Sequence, residues 1–225
     1  MALLPLNEAL SNMLAQLPQP TETERLSLND CTNRVLAQDI ISPINVPSFD
    51  NSAMDGYAIK FADLEKFTSF NIAGKSFAGK PFEGETQAGE CVRIMTGAMI
   101  PAGCDAVIMQ EETEQAGENQ IRFTNAIKLG QNIRRVGEDV AKGNLVLAKG
   151  SLLNVASLPL LASLGIAEVE VFKRTKVAIL STGDELVSVG KSLAAGQIYD
   201  TNRFAVRLML EKLNCEILDF GIQPD

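Results

Sequence analysis

The strongest constraint on the fold is a series of short alternating stretches between residues 48 and 140, each closed by glycine-rich punctuation. Tyr57, Ile59 and Phe61 alternate with other residues, then Phe70 and Ile72, then Val92 and Ile94, then Val107 and Met109. Successive side chains of a strand point to opposite faces, so a period of two marks a strand with one face turned to a core. Between these stretches lie "AGKSFAGKPFEGETQAGE", "TGAMIPAG" and "EQAGENQ", rich in residues that let a chain turn. Residues 48–140 are therefore expected to form a small β-domain.

The flanks have a different texture. Leu6, Leu10, Met13, Leu14 and Leu17 fall on one helical face, and Pro18 follows as a stop. A second short helix is expected from Asp30, carrying Val35 and Leu36. Its end leads into "DIISPINVP", an extended segment whose prolines disfavour a central strand. Past Asn144, "NLVLAKGSLLNVASLPLLASLG" reads as a strand and then a helix capped by Asn154 and closed by Gly165. "AEVEVF" alternates as an edge or half-buried strand, and the basic "KRTK" at 173–176 marks a boundary or a solvated turn. Then "KVAIL" (176–180) is a continuous apolar run of the kind buried on both faces. A loop, a helix from about Thr201 to Leu213 and the strand "CEILDFG" (215–221) follow. Strand, crossover and strand make a βαβ unit, the opening of a parallel α/β sheet that looks unfinished at Asp225.

Composition narrows the functions. The 225 residues suffice for one large domain or two ordinary ones, and a net charge of −8 argues against a nucleic-acid or anionic-membrane surface. The chain has no histidine, so acid–base or metal chemistry must run on carboxylates, Lys, Tyr, Cys or water. Cys31, Cys91, Cys104 and Cys215 are scattered, with no C-x-x-C pair, and read as reduced, mostly buried thiols of a cytoplasmic protein. The N-terminus lacks the pattern of a signal peptide, and the longest uncharged stretch, 151–167, is too short to span a bilayer.

Four places carry chemistry-bearing residues. The stretch "PSFDNSAMDGYAIK" (47–60) holds more carboxylate and amide groups than a turn needs, with Asp55 just before a strand; it is either a long solvated loop or the lip of a site. Thr96 and Gly97 directly follow a strand, where small residues permit either close approach to a ligand or a hairpin turn. In "QNIRRVGEDVAKG", Arg134 and Arg135 lie beside Glu138 and Asp139, as a surface ion-pair network or as an arginine open to an anion. At the carboxyl ends of the βαβ strands, where open α/β sheets bind ligands, stand "STGDE" with Glu185, and Asp225. "GQIYDTN" brings Asp200, Thr201 and Asn202 to a helix N-terminus, with Thr201 a candidate N-cap. Glu185 and Asp225 could share a Mg²⁺ ion.

Taken in order, "VPSFDNSAMDGYAI", "AGKSFAG", "RIMTGAMIPAGCDAVIMQEET", "NIRRVGEDV", "ASLGIAEVEV", "ILSTGDEL" and "GQIYDTNRFAV" resemble the MoeA family of molybdopterin molybdenumtransferases, bacterial counterparts of the gephyrin E-domain. The resemblance implies a mixed α/β and β fold in an elongated multi-domain chain. A discontinuous N-terminal lobe (1–47 with 141–172) would carry an inserted small β-domain (48–140). The start of a three-layer parallel α/β domain (176–225), which binds molybdopterin, would follow. It implies molybdenum cofactor biosynthesis: insertion of molybdate into adenylylated molybdopterin with release of AMP, in a Mg²⁺-dependent step. It implies a homodimer whose cleft lies between the β-domain of one subunit and the α/β domain of the other, with a molybdopterin adenylyltransferase acting upstream. Asp55, Thr96, Arg134 and Asp139 match polar positions on the β-domain wall, and Glu185 and Asp225 match acidic positions on the other. Asp55, Thr96 and Glu185 are thus expected to be catalytic, and Arg134, Asp139, Asp200 and Asn202 to bind substrate. Glu185 and Asp225 are expected to hold the metal. Family members continue past residue 225 with further glycine and lysine segments, so the resemblance implies a truncated α/β domain and little turnover by these residues alone. A dimeric scaffold, or a pterin- or nucleotide-binding module, is the alternative that the same fold allows.

Overall fold

The structure is a computed structural model that describes residues 4–224, and it is a mixed α/β fold made mostly of strands. In chain order it opens with α1 (Leu6–Ala15) and β1 (Thr23–Ser27). Then come β2 (Ile40–Ile41), β3 (Asn51–Ser52), β4 (Gly56–Ile59), β5 (Phe70–Ser76) and β6 (Glu90–Ile94). These lead to β7 (Ala106–Met109), β8 (Thr113–Gly117), β9 (Gln120–Phe123), β10 (Ile133–Arg134) and β11 (Leu145–Leu147). The last part holds α2 (Ser157–Ser163), β12 (Glu168–Phe172), β13 (Lys176–Thr182), β14 (Leu186–Val187), β15 (Ile198–Tyr199), α3 (Thr201–Lys212) and β16 (Glu216–Gln223). The chain divides into two compact units, residues 40–146 and residues 1–39 with 147–225.

The 40–146 unit is built on a six-stranded sheet in the order β7-β4-β6-β5-β9-β8. Its pairs are antiparallel except β5 with β6, which run parallel. Apolar side chains occupy both faces of this sheet, where the alternation in the sequence marked only one. Ala58, Ile94, Ala98 and Val107 pack together on one, and Ile59, Phe70, Cys91, Ala106, Ile108 and Ile121 on the other. Neighbouring residues such as Ala58 and Ile59, or Val107 and Ile108, thus serve opposite layers. Phe61 departs from the expected strand. It opens a 3₁₀ turn, Phe61–Glu65, because its N–H turns out of the ladder to the Asp105 carboxylate at 2.5 Å.

In the other unit β1 pairs antiparallel with β12, and the alternation of "AEVEVF" buries Val169 and Val171. The expected helix from Asp30 is absent. A single 3₁₀ turn spans Leu28–Asp30, Asn33 takes a left-handed φ of 60°, and Val35 and Leu36 are extended, bridging Leu152 and Val171. Bridging lets Leu36 reach full burial, which local helical hydrogen bonds would not provide. α2 forms as expected: the Asn154 side chain accepts from the N–H groups of Ala156 and Ser157, and Gly165 closes the helix at a φ of 74°.

β13 and β16 run parallel with α3 as their crossover, the βαβ unit expected from the sequence. One expectation here is corrected. "KVAIL" is not buried on both faces: Ile179 is buried, but Ala178 and Leu180 are exposed. Among the described residues this sheet consists of β13 and β16, and α3 touches both strands, so the second face has no covering layer.

Candidate functional site

In the 40–146 unit, strand direction explains why distant residues meet. β4 runs antiparallel to both β6 and β7, so its first residue, Gly56, pairs with Ile94 on one side and Met109 on the other. The residue before β4, the turn after β6 and the turn after β7 must therefore share one end of the sheet. There the Asp55 carboxylate accepts from the Thr96 N–H at 2.8 Å and from the Thr96 hydroxyl at 2.7 Å, across 41 positions of sequence. The Gln110 N–H donates to the Asp55 carbonyl at 3.1 Å. Two of the expected catalytic residues are thus in direct contact. The Thr96 amide and hydroxyl, with Arg93 adding a smaller attraction, hold the Asp55 carboxyl below its ordinary range. Asp55 is accordingly an anion at neutral pH, suited to accepting hydrogen bonds or steadying a cation and unsuited to donating a proton.

The lip is set by backbone pairing. Gly97, in a left-handed conformation (φ 78°), donates its N–H to the Ser52 carbonyl at 2.8 Å, and the Ser52 N–H returns to the Ala98 carbonyl at 3.0 Å. On its other side the same segment pairs with β10, where Arg134 stands opposite Asn51. Three loops therefore converge around residues 50–55. The Arg134 guanidinium contacts both oxygens of Asp139, at 2.5 and 2.6 Å, with both side chains about half exposed. Next to it Asp50 accepts from Arg135 at 2.7 Å and from the Val136 N–H at 2.8 Å, and these contacts lower its pKa. The two readings of "RRVGED" meet here: the arginines form a surface ion-pair network, and the network ties the loop of 134–139 to the lip. Exposed pairs of this kind add little stability, and their consequence is positional.

In the second unit Asp200 is buried and caps α3, accepting from the Arg203 N–H at 3.2 Å and from Arg203 Nε at 2.7 Å. Asp200, not Thr201, is the N-cap, since Thr201 is already inside the helix. Arg203 also contacts Asp219 at 2.5 Å. Burial would raise the Asp200 pKa, but Arg203 and the Ser181 hydroxyl outweigh it and the value is lowered. Asn202 is exposed in the first turn of α3. Glu185 is exposed just ahead of β14, its carbonyl accepting the Ile198 N–H at 2.8 Å. Because β14 and β15 run parallel, Glu185 stands just ahead of the pair and Asp200 just past its other end, so the pairing does not join the two carboxylates. A depression of about 120 Å³ lies beside Asp200, lined by Val189, Asp200, Arg203, Phe204, Arg207 and Asp219, and Glu185 is not part of its wall. Asp225 lies outside the described residues. Among the described residues no three acidic or cysteine side chains gather as a metal cage, and Glu185 alone does not make a Mg²⁺ site.

Sequence reasoning missed Arg93, Gln110 and Arg203. Their only local signal is position: Arg93 sits near the end of β6 and Gln110 directly after β7, so both belong to strand ends that carry a site. A more apolar cavity of about 540 Å³, walled by Phe61, Phe67, Phe70 and Phe123, includes none of the candidate residues.

Comparison with known proteins then bears on the whole chain. Residues 4–165 match the family described as the MoeA N-terminal region (domain I and II). A molybdopterin molybdenumtransferase of Haemophilus influenzae is 60% identical over 99% of this chain and 55% of its own length. One of a Nostoc species is 35% identical over 95% of this chain and 50% of its own. The crystal structure of a molybdopterin biosynthesis moeA protein from Pyrococcus horikoshii OT3 superposes with a TM-score of 0.93 at 34% identity, covering all of this chain and 61% of that one. The chain spans about half the length of the curated relatives it matches. Fold, ordered motifs and matched residues agree: the chain belongs to the MoeA family, through that family's N-terminal region.

Proposed function

We propose that this chain supplies part of a molybdopterin molybdenumtransferase, which transfers molybdate to the dithiolene of adenylylated molybdopterin and releases AMP. The observation that carries the reading is the Asp55 carboxylate, held by both donors of Thr96 on the lip where three loops converge, within a chain whose relatives are named for this activity. Asp55 positions the substrate, Thr96 keeps that carboxylate ionised and aimed, and Arg134, already paired to Asp139, exchanges that partner for an anionic group of the ligand. Asn202, Asp200 and Glu185 belong to the second wall, with Asp200 acting through the helix end that it caps. In the homodimer that the resemblance implies, the two walls come from different subunits. Mg²⁺ is part of the chemistry that the resemblance implies, and Glu185 would be one of its ligands. The setting is cytoplasmic, consistent with four free cysteines; separately, no helix among the described residues is long and apolar enough to cross a membrane. A molybdopterin adenylyltransferase would supply the substrate.

The test is AMP release from adenylylated molybdopterin, with and without molybdate, by the protein at the length of its relatives and by residues 1–225 alone. Molybdate-dependent release by the longer protein, and binding without turnover by the shorter, is the expected result. Ligand or peptide binding with no molybdate-dependent release by either would replace the transferase with a scaffold or binding module.

A further inference from the structure

Beyond Asp55 and Thr96, the same end of the sheet holds a second row of contacts. Arg93, on β6, donates to the Gly56 carbonyl at 2.9 Å and to the Gln110 side-chain carbonyl, and its guanidinium lies 5.0 Å from the centre of the Tyr57 ring. The Gln110 amide nitrogen in turn donates to Glu111 at 2.9 Å, and the Gln110 backbone N–H donates to the Asp55 carbonyl. The segment Asp55-Gly56-Tyr57, where the bend of 53–55 enters β4, is thus gripped at consecutive points: the Asp55 carboxylate by Thr96, the Asp55 carbonyl by Gln110, the Gly56 carbonyl and the Tyr57 ring by Arg93.

We infer that Arg93 is a positioning residue for Asp55, acting through the Gly56 carbonyl and Gln110 to fix the segment from which the carboxylate reaches Thr96. This deepens the functional reading above and rests on it for its catalytic consequence. Three features support the role. The guanidinium fork serves two acceptors on different chain segments at once, which a lysine ammonium on a flexible stem does not reproduce. Stacking on Tyr57 fixes the plane of that fork. The partners of Arg93, Gly56 and Gln110, flank the strand pairing that brings Asp55 to the sheet end, and neither belongs to a core cluster, although the Tyr57 ring under Arg93 packs against one. A displacement on the order of 1 Å at a positioning group is enough to cost about a hundredfold in rate.

The experiment needs no turnover for its first arm. Amide hydrogen exchange is followed in residues 1–225 carrying Arg93→Ala, with Arg93→Lys as the second variant should alanine not fold. The expected result is faster exchange at the Thr96 and Gln110 amides, whose acceptors are on Asp55, with the core amide of Val92 on β6 unchanged. Unaltered exchange at Thr96 overturns the inference. So does an equal loss of protection at Thr96 and Val92, which would make Arg93 a general stabiliser of the sheet. In the second arm, AMP release by the full-length protein is compared for Arg93→Lys, Asp55→Asn and the double variant. If Arg93 acts through Asp55, Arg93→Lys lowers kcat with little change in KM and has no further effect once Asp55 is asparagine. Fully additive losses overturn the inference. Full activity of Asp55→Asn refutes the role of Asp55 in the proposed function, and the exchange result still decides whether Arg93 fixes the segment.

Discussion

Gly56 offers the sharpest test of how the β-unit holds the site. A Cβ placed on it would lie 1.8 Å from the carbonyl oxygen of Ile108 and 2.8 Å from its carbonyl carbon, with Met109 Cα at 3.1 Å. Those atoms are backbone of β7, so no rotamer change relieves the clash. A carbon–oxygen contact relaxes only at about 3.3 Å, so β4 and β7 must part by roughly 1.5 Å at this point. That movement strains or breaks the pairing of Gly56 with Met109 and of Tyr57 with Ile108, and it pulls the Gln110 N–H from the Asp55 carbonyl. Overpacking of this kind costs about 1–3 kcal/mol, and each weakened ladder bond adds about 1 kcal/mol. Gly56→Ala is therefore expected to destabilise by roughly 3 kcal/mol, or about 6–12 °C in Tm for a chain of this size. Thermal unfolding followed by circular dichroism measures it, and exchange at the Thr96 amide should rise in parallel. A variant that melts within 2 °C of the parent, a margin of about 1 kcal/mol or less, would refute the claim that close strand approach at Gly56 sets this end of the sheet.

Other outcomes follow from the same geometry. Asp55→Ala and Thr96→Val in the full-length protein are expected to lower molybdate-dependent AMP release by on the order of a hundredfold with little change in Tm, since both side chains are exposed; a stopped assay for AMP decides it. Asp200→Ala removes the cap of α3 and leaves Arg203 with Asp219 alone, at about 1–2 kcal/mol, read as a lower urea midpoint. The Asp200 pKa is lowered from 3.8, so its contribution is complete above pH 3.8 and is lost as the pH falls through the lower folded value. Asp200→Asn should flatten that part of the acid-unfolding curve. Burial pushes the Cys91 thiol up to about 12 and Cys104 to about 11. Buried Cys91 should not react with a disulfide reagent at pH 8 in the native protein and half-buried Cys104 should react slowly, and both should react in urea; rapid native labelling of Cys91, located by peptide mass, would contradict its burial.

Tyr57 and Ile59, Val92 and Ile94, and Val107 and Met109 announce their strands because the two-residue period is a property of the local chain. The same holds for α2, whose capping Asn154 and closing Gly165 act within a few residues, and for the crossover from β13 to β16. The ordered motifs also identified the family. Asp30 to Leu36 misled, because helix propensity was overridden by partners at Leu152 and Val171 that no local pattern reveals. "KVAIL" misled for a related reason: an apolar run states what could be buried, and the layers present decide what is.

The candidate site divides along the same line. Sequence alone determined which side chains could serve: carboxylates and a threonine at strand ends, arginines beside acids, no imidazole anywhere. Only the tertiary structure decided which of them meet. Asp55 finds Thr96 across 41 positions because β4 runs antiparallel to both β6 and β7, and that register also brings in Arg93 and Gln110. The physical reason is the range of the forces. Propensity, capping and side-chain alternation act over a few residues, whereas strand pairing closes loops of tens of residues and is fixed by the burial of two apolar layers as a whole.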